Sequence, residues 1–197
     1  VLGSRLSIGR INLGLLNRII IDDLLLEDQA GKEMLKVARL SAKFDILPLF
    51  NGKISISNVQ LFSFNARLEK QTPQAPSNFQ FVLDAFASKD TIKKKSDLDL
   101  RINSLLIRRG KVSYDVHSEK ETPGKFNPRH IRLSNILANI SLKALQNDSV
   151  NAAIKRMSME EENSGAELKK LSLKIVANDR HMPVSYTHLT LPTKLEV

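Results

Sequence analysis

The sequence predicts a mainly β protein in which bent antiparallel strands form a curved groove, with one short helix near residues 78–88. Three observations lead to this prediction. Apolar residues alternate at every second position over much of the chain, one alternating pattern recurs five times, and turn-forming residues stand between the alternating segments. Period-two alternation places one face of a strand on an apolar surface and the other in water.

The recurring pattern has the form Φ-x-Φ-x-polar-Φ-x-Φ, where Φ is apolar, so the alternation slips by one at the polar residue. Such a slip turns the rest of a strand over, unless a β-bulge absorbs the extra residue and both halves keep the same face. We interpret each copy as a bent strand whose apolar residues all face one concave side. The alternative is a pair of plain strands joined by a tight turn. The slip residues of the five copies are Arg10, Asp23, Asn58, Ser104 and Asn135.

The segments between the copies also alternate, and residues 34–46 show a further slip at Ala38-Arg39. Turn-forming residues at 28–33, 51–53, 108–111 and 164–167 stand where hairpins would need them. Residues 151–165 fit a strand or a helix, and we favour the strand. The chain is therefore expected to be a meander of short to medium antiparallel strands.

One segment follows helical rather than strand spacing. In "SNFQFVLDAFAS" the apolar residues Phe79, Val82, Leu83 and Phe86 have the i, i+3, i+4, i+7 spacing of an amphipathic helix. Ser77 or Asn78 is the expected cap for its first amide groups. The apolar stripe of this helix is expected to cover part of the sheet.

The composition excludes several classes of function. Cysteine is absent, which removes disulfides, thiolate catalysis and Cys-ligated metal. Lys and Arg number 30 against 21 Asp and Glu, and this basic surface suits anionic headgroups or nucleic acid, or is simply a soluble surface. Without zinc spacing or aromatic residues among the basic ones, it does not predict nucleic-acid binding. No run of apolar residues is long enough to span a bilayer.

No catalytic or cofactor motif is present, so we expect a protein that is not an enzyme and needs no cofactor. His117, His130 and His181 lie far apart in the sequence, each without a neighbouring acid at metal-ligand spacing. We expect each of them to be a surface or loop histidine rather than a metal ligand.

The end of the chain has a different origin in our interpretation. Residues Val184 to Thr193, "VSYTHLTLPT", match one reading frame of the sequencing adapter used in transposon-based library preparation. We interpret residues 184–197 as an adapter artefact and exclude them from the functional argument. The natural protein is then expected to continue past about Met182, and the start at Val1 without an initiator Met suggests a preceding segment.

Three stretches together carry a family resemblance. The segment "LPLFNGKISISNVQLFSFNARLEK", then "SNFQFVLDAF", then "LRINSLLIRRGKVSYDV" resembles the AsmA-like family in both the motifs and their order. The opening residues 2–47 are similar to the start of the TamB branch of that family, the translocation and assembly module subunit. The resemblance covers Val1 to Met182.

The resemblance implies a periplasmic protein, held in the inner membrane by an anchor upstream of this segment. Its sheet would roll into a taco-like groove through which phospholipids move between the inner and outer membranes, in support of outer-membrane biogenesis. The alternative is a structural scaffold that assists insertion of outer-membrane proteins with a barrel partner of the TamA or BamA type.

The apolar positions of the copies are the candidate lipid-groove lining, and the alternative is that they fill an ordinary dry core. These residues are Leu6, Ile8, Ile19, Ile21, Ile54, Ile56, Leu61, Leu100, Ile102, Ile131 and Leu133.

Overall fold

The computed structural model describes residues 4–15, 17–45, 54–87, 98–99, 103–146, 149–178 and 184–190. These residues form ten β-strands and one helix, α1, which spans Gln80–Ala87. The strands are β1 (Leu6–Gly14), β2 (Arg18–Glu27), β3 (Glu33–Asp45), β4 (Ile54–Lys70), β5 (Leu98–Asp99), β6 (Ser104–Val116), β7 (His130–Gln146), β8 (Ser149–Glu161), β9 (Ala166–Asn178) and β10 (Val184–Thr190).

All ten strands belong to one open sheet in the order β1-β2-β3-β4-β6-β7-β8-β9-β10, with the short β5 also pairing with β4. The predicted class is confirmed: the chain is mainly β, with one short helix and an open, curved sheet among the described residues. Neighbouring strands are antiparallel except that β4 pairs in parallel with β5 and β6. A parallel pair needs a crossover connection, and the chain between β4 and β6 contains α1.

Two of the predicted turns are confirmed. Residues 28–32 join β2 to β3, where the Asp28 carboxylate accepts the backbone N–H groups of Ala30 and Lys32, both at 2.9 Å. Residues 162–165 join β8 to β9, and Gly165 has the positive φ of 70° that such a turn requires. The predicted turn at 51–53 lies outside the described residues.

The predicted hairpin turn at 108–111 is wrong. Strand β6 runs through "RRGK" without ending, and Arg109 takes a positive φ of 56° inside the strand. A local bend therefore replaces the turn at this position.

The predicted helix is confirmed, but its expected cap has a different role. The backbone carbonyl of Ser77 accepts the N–H of Gln80 at 3.0 Å. The Asn78 side chain instead accepts the N–H of Glu69 and donates to the carbonyl of Arg67, so it joins the start of α1 to β4.

Residues Val184–Thr190 pair with β9 as the last strand of the sheet. The interpretation of residues 184–197 as an adapter artefact stays a prediction, and the functional argument uses only residues before Val184.

Few apolar side chains are fully enclosed. Among the described residues the buried apolar side chains are Met34, Val37, Val116, Ile136 and Ala138. All of them lie on β3, β6 or β7, in the middle of the sheet. In the part of the chain that the structure describes, no helix has the length and apolarity that crossing a bilayer requires.

Candidate functional site

The strand register places the apolar residues of neighbouring strands directly opposite one another. Directly paired residues point their side chains to the same face of a sheet. Two such rows each run across eight strands. The first row is Ile11, Ile21, Leu40, Leu61, Ile107, Ala138, Met157 and Leu171, and the second is Leu13, Ile19, Ala42, Val59, Leu105, Ile140, Ile154 and Leu173.

Two further rows lie nearer the other end of the strands. One contains Leu6, Leu26, Leu35, Ala66, Val112 and Leu133. The other contains Ile8, Leu24, Val37, Phe64, Gly110 and Ile136, with the Phe64 ring lying against Gly110. The described apolar residues of the copies thus lie in register with those of the neighbouring strands.

Between the two pairs of rows, a line of left-handed residues crosses the sheet. Asp23, Ser63, Arg109 and Asn135 have φ values of 56°, 50°, 56° and 50°. The register places Asp23 beside Ala38, and Ser63 beside both Ala38 and Arg109. Asn135 lies one strand further, on β7. The register between β6 and β7 shifts by one residue before Gly110 and shifts back after it. We call this line of four residues the crease.

The crease keeps the apolar residues of β2 and β3 on one face. The consecutive residues Asp22 and Asp23 line the same open cleft of about 400 Å³, as do Ala38 and Arg39. In a regular strand, consecutive side chains point to opposite faces. Since Asp22 and Asp23 share one face, Ile21 and Leu24 share the other, which we call the apolar face. This is the arrangement that the alternation slips predicted at Asp23 and at Ala38-Arg39.

The five predicted slip residues have different outcomes. Asp23 and Asn135 are confirmed as bends with positive φ. Near Asn58 the register also shifts, but the extra residue is the buried Ser57, whose hydroxyl faces the carbonyl of Lys43 at 3.4 Å.

The slip at Arg10 keeps the apolar residues of β1 on one face as predicted, because Ile8 and Ile11 pair with Leu24 and Ile21. It does so without a register shift between β1 and β2. The slip at Ser104 stays a prediction, because Leu100 and Ile102 lie outside the described residues.

The bends at Ser63 and Arg109 were not predicted. Two consecutive polar residues in "RRG" were the available signal at Arg109. At Ser63 the signal was a change in the alternation, from Val59 and Leu61 to Phe64 and Ala66.

The candidate lining residues that the structure describes are not fully buried. Leu6 is 52% exposed and Ile8 is 41% exposed. The half-buried members are Ile19, Ile21, Ile56, Leu61, Ile131 and Leu133. Ile54 lies in β4, and Leu100 and Ile102 lie outside the described residues. The apolar face is therefore partly open to solvent at these positions, whereas Val37, Ile136 and Ala138 on the same face are buried.

The opposite face carries polar and charged side chains beside the crease. Arg39 Nε donates to Asp22 Oδ1 at 2.6 Å, and the Arg108 guanidinium lies 5.9 Å from the centre of the Phe62 ring. The hydrogen bond from Arg39 holds the pKa of Asp22 below its usual value, against the effect of burial, and the charges of Arg39 and Arg10 act in the same direction.

A second group of polar residues stands at the end of β6 and β7. His130 Nδ1 lies 2.9 Å from Asp115 Oδ1, and Arg132 donates to the same oxygen at 2.7 Å. The predicted surface position of His130 is wrong, because its side chain is only 8% exposed. The strand pairing brings Asp115 to it from fifteen residues away, which no local spacing indicates. His117 is exposed as predicted, and it lies 3.1 Å from Glu69 Oε2. His181 lies outside the described residues.

This group does not have the arrangement of a metal centre. Asp115, Glu121 and His130 each bring one ligand atom within 4.8 Å of the others. However, His130 Nδ1 faces Asp115, His130 Nε2 faces the carbonyl of Glu119, and Arg132 already binds Asp115. A cation bound to Nδ1 would have to displace the Arg132 guanidinium from Asp115 and break the contact between Nδ1 and Asp115. The group is a hydrogen-bonded ion-pair network.

No protein-family model matches the chain, and comparison with the curated proteins finds no significant relative. The resemblance to the AsmA-like family therefore stays a prediction that rests on the motifs described above.

Proposed function

We propose that this chain is part of a bridge-like periplasmic protein that moves phospholipids between the inner and outer membranes along its apolar face. One observation carries the proposal: two apolar rows run unbroken across eight strands, and their members on β1 to β4 stay partly accessible. The proposal also takes up the resemblance to the AsmA-like family and its inner-membrane anchor.

The apolar face suits acyl chains because its described rows span several strands and consist of apolar residues. Each buried methylene contributes roughly 0.8 kcal/mol, so a lipid tail is held by contact area. Contact area changes little as the tail shifts from one row to the next, and sliding along the face is therefore possible. The headgroup stays at the wetter edge, and the net charge of +9 of the chain favours anionic groups.

The crease allows this face to extend over long strands. A slip in alternation without a bend would turn half of each strand over and interrupt the apolar surface with polar side chains. With the crease, rows on both sides of Asp23 and Ser63 share one face. This arrangement needs no catalytic residue, which agrees with our proposal that the protein is not an enzyme.

A second function, a scaffold that assists insertion of outer-membrane proteins with a barrel partner, is favoured by a different observation. Strand β1 stands at one edge of the sheet, and its apolar side chains are the most exposed of the apolar rows. These are Leu6, Ile8, Ile11 and Leu13. An exposed edge strand with apolar side chains is a template for pairing with a strand from another protein.

Photocrosslinking at matched positions tests the two functions. A photoreactive residue replaces Leu61 or its neighbour Gln60 on β4, and in a second pair Leu35 or its neighbour Lys36 on β3. Neighbouring residues of a strand point to opposite faces, so each pair compares the apolar face with the polar face. Lipid transport predicts phospholipid adducts at Leu61 and Leu35 but not at Gln60 and Lys36, after incubation with phospholipid vesicles.

The scaffold function predicts the opposite distribution. A photoreactive residue at Ile11 on β1 would then capture a protein in cells, and positions Leu61 and Leu35 would capture no lipid. Absence of lipid at both apolar-face positions, in variants that keep their β-sheet circular dichroism, would contradict the transport proposal.

A further inference from the structure

The connection between β6 and β7, residues 117–129, is a loop whose two ends are joined. The buried Val116 donates its N–H to the carbonyl of Arg129 at 2.9 Å. Within the loop, Asn127 Nδ2 donates to the carbonyl of Lys120 at 3.1 Å. From the neighbouring turn, Asn163 Nδ2 donates to the carbonyls of Thr122 and Lys125. The loop is thus held by polar contacts rather than by an apolar core.

His130 stands at the base of this loop and contacts an acceptor with each ring nitrogen. Nδ1 lies 2.9 Å from Asp115 Oδ1 on β6, and Nε2 lies 3.0 Å from the carbonyl oxygen of Glu119 in the loop. A carboxylate and a carbonyl can only accept hydrogen bonds. A neutral imidazole has one N–H and can satisfy only one of them, whereas the imidazolium donates to both.

The charged groups near the ring come from β6, β7, β8 and the loop. Asp115 lies on β6, Arg132 on β7 donates to Asp115 at 2.7 Å, and the loop contributes Glu121. Arg132 NH2 lies 3.8 Å from Glu121. From β8, Glu161 accepts the backbone N–H of Arg132 at 3.2 Å.

We propose that His130 is a pH-dependent latch that holds the 117–129 loop against the ends of β6 and β7 when its ring is protonated and loosens the loop when the ring becomes neutral. Loss of the proton leaves one ring nitrogen with a lone pair facing an acceptor oxygen. Because the second contact ends on a loop carbonyl, the loop is the part that moves away. The loop carries Phe126, which is 58% exposed, so protonation also sets how firmly this aromatic ring is held at the end of the sheet.

The direction of the pH dependence follows from the contacts of the ring. The hydrogen bond to Asp115 raises the pKa of His130 above its usual 6.5, against the effect of burial. The hydrogen bond to the backbone carbonyl of Glu119 and the charges of Asp115 and Glu121 also raise this pKa. A group with a raised pKa stabilises the folded form fully below its unfolded pKa. That contribution is lost as the pH rises through the folded pKa, so the loop is closed near pH 6 and opens at higher pH.

Amide hydrogen exchange on the full chain tests the latch between about pH 5.5 and about pH 8.5. Protection factors corrected for intrinsic exchange should fall for amides of residues 117–129 as the pH rises. The expected fall is about tenfold for each unit that separates the folded from the unfolded pKa of the ring. Amides of β2 and β3 should keep their protection and serve as the internal control.

The variants His130→Gln and His117→Gln separate the latch from a general effect of losing a histidine. His130→Gln should leave the loop weakly protected at every pH, and His117→Gln should keep the pH dependence of the parent chain. If His130→Gln fails to fold, nitrogen-15 spectra of the parent chain decide, because the latch requires both ring nitrogens of His130 to be protonated near pH 6.

Three results would overturn the proposal. They are pH-independent protection of the loop in the parent chain, a His130 ring with an unprotonated nitrogen near pH 6, and restoration of loop protection by added Zn²⁺ near pH 8. The last result would assign Asp115, Glu121 and His130 to metal binding instead.

Discussion

Ile8 and Ile136 lie at the two ends of the same apolar row, but their environments differ. Ile8 is on the edge strand β1 and is 41% exposed, whereas Ile136 is on β7 and is 5% exposed. Both residues come from copies of the same sequence pattern. Ile136 has strands on both sides and lies beside Gly110, whose surface the Phe64 ring covers. The pattern thus decides which face a residue occupies, and the position of its strand decides how deeply it is buried.

The largest expected effect tests this difference directly. Ile136→Ala should lower the free energy of unfolding by about 2–5 kcal/mol, because truncation of a buried side chain leaves a cavity. Ile8→Ala should lower it by less than about 1 kcal/mol, since much of this side chain is already in water. Urea denaturation of both variants measures the two values. Equal losses would mean that the edge strand is as well packed as the centre.

Gly110→Ala should have the next largest effect. A Cβ at this position would clash with Phe64 Cε1 and would lie 3.1 Å from Ile136 Cβ. Because the neighbours would have to move, we expect a loss of about 1–3 kcal/mol in the free energy of unfolding. Phe64→Leu in the same chain should recover part of this loss. If Gly110→Ala is as stable as the parent, the Phe64 ring does not pack on Gly110 in solution.

The comparison between exposed and buried residues also applies to polar side chains. Glu161, the last residue of β8, is as deeply buried as Ile136. Burial acts to raise the pKa of Glu161, but hydrogen bonds from Ser164 and from the backbone of Arg132 and Asn163 outweigh it and lower the pKa. A lowered pKa means that stability is present above the unfolded value of 4.5 and is lost as the pH falls through the folded pKa.

Glu161→Gln should therefore lower the free energy of unfolding by about 1–3 kcal/mol near pH 7. The difference from the parent should shrink as the pH falls below about 4. The neighbouring Glu160 is exposed, and Glu160→Gln is the matched control with an expected change of less than about 0.5 kcal/mol. A constant difference at all pH values would exclude the role of the Glu161 charge.

The smallest expected effect concerns the crease itself. Ser63 is exposed and has a φ of 50°, which a β-branched residue adopts only with strain. Ser63→Val should lower the free energy of unfolding by about 1–2 kcal/mol, and Ser63→Gly should leave it unchanged or raise it by up to about 1 kcal/mol. Thermal unfolding of the two variants distinguishes the crease from a regular strand, in which valine would be the more stabilising residue.

Several features were predictable because their causes are local. The apolar alternation predicted the strands, the helical spacing of Phe79 and Val82 predicted α1, and the slip at Asp23 predicted a bend. Each depends on residues that are close in the sequence. Side-chain periodicity, turn chemistry and tolerance of positive φ are properties of short segments.

Other features were not predictable because they depend on distant partners. The bend at Ser63 lies beside Arg109 only because β4 and β6 pair in parallel, which required a crossover that the hairpin interpretation did not include. His130 was expected at the surface, and its contacts with Asp115 and Glu119 arise only when β7 returns along β6.

The sequence by itself determined that this is a β protein with one short helix and that each strand has an apolar side, because both follow from periodicity within a strand. Only the tertiary structure decided that the bends form one crease across the sheet, that the rows match from β1 to β9, and that His130 is buried. Those properties come from the register between strands, and register is a relation between segments that no single segment contains.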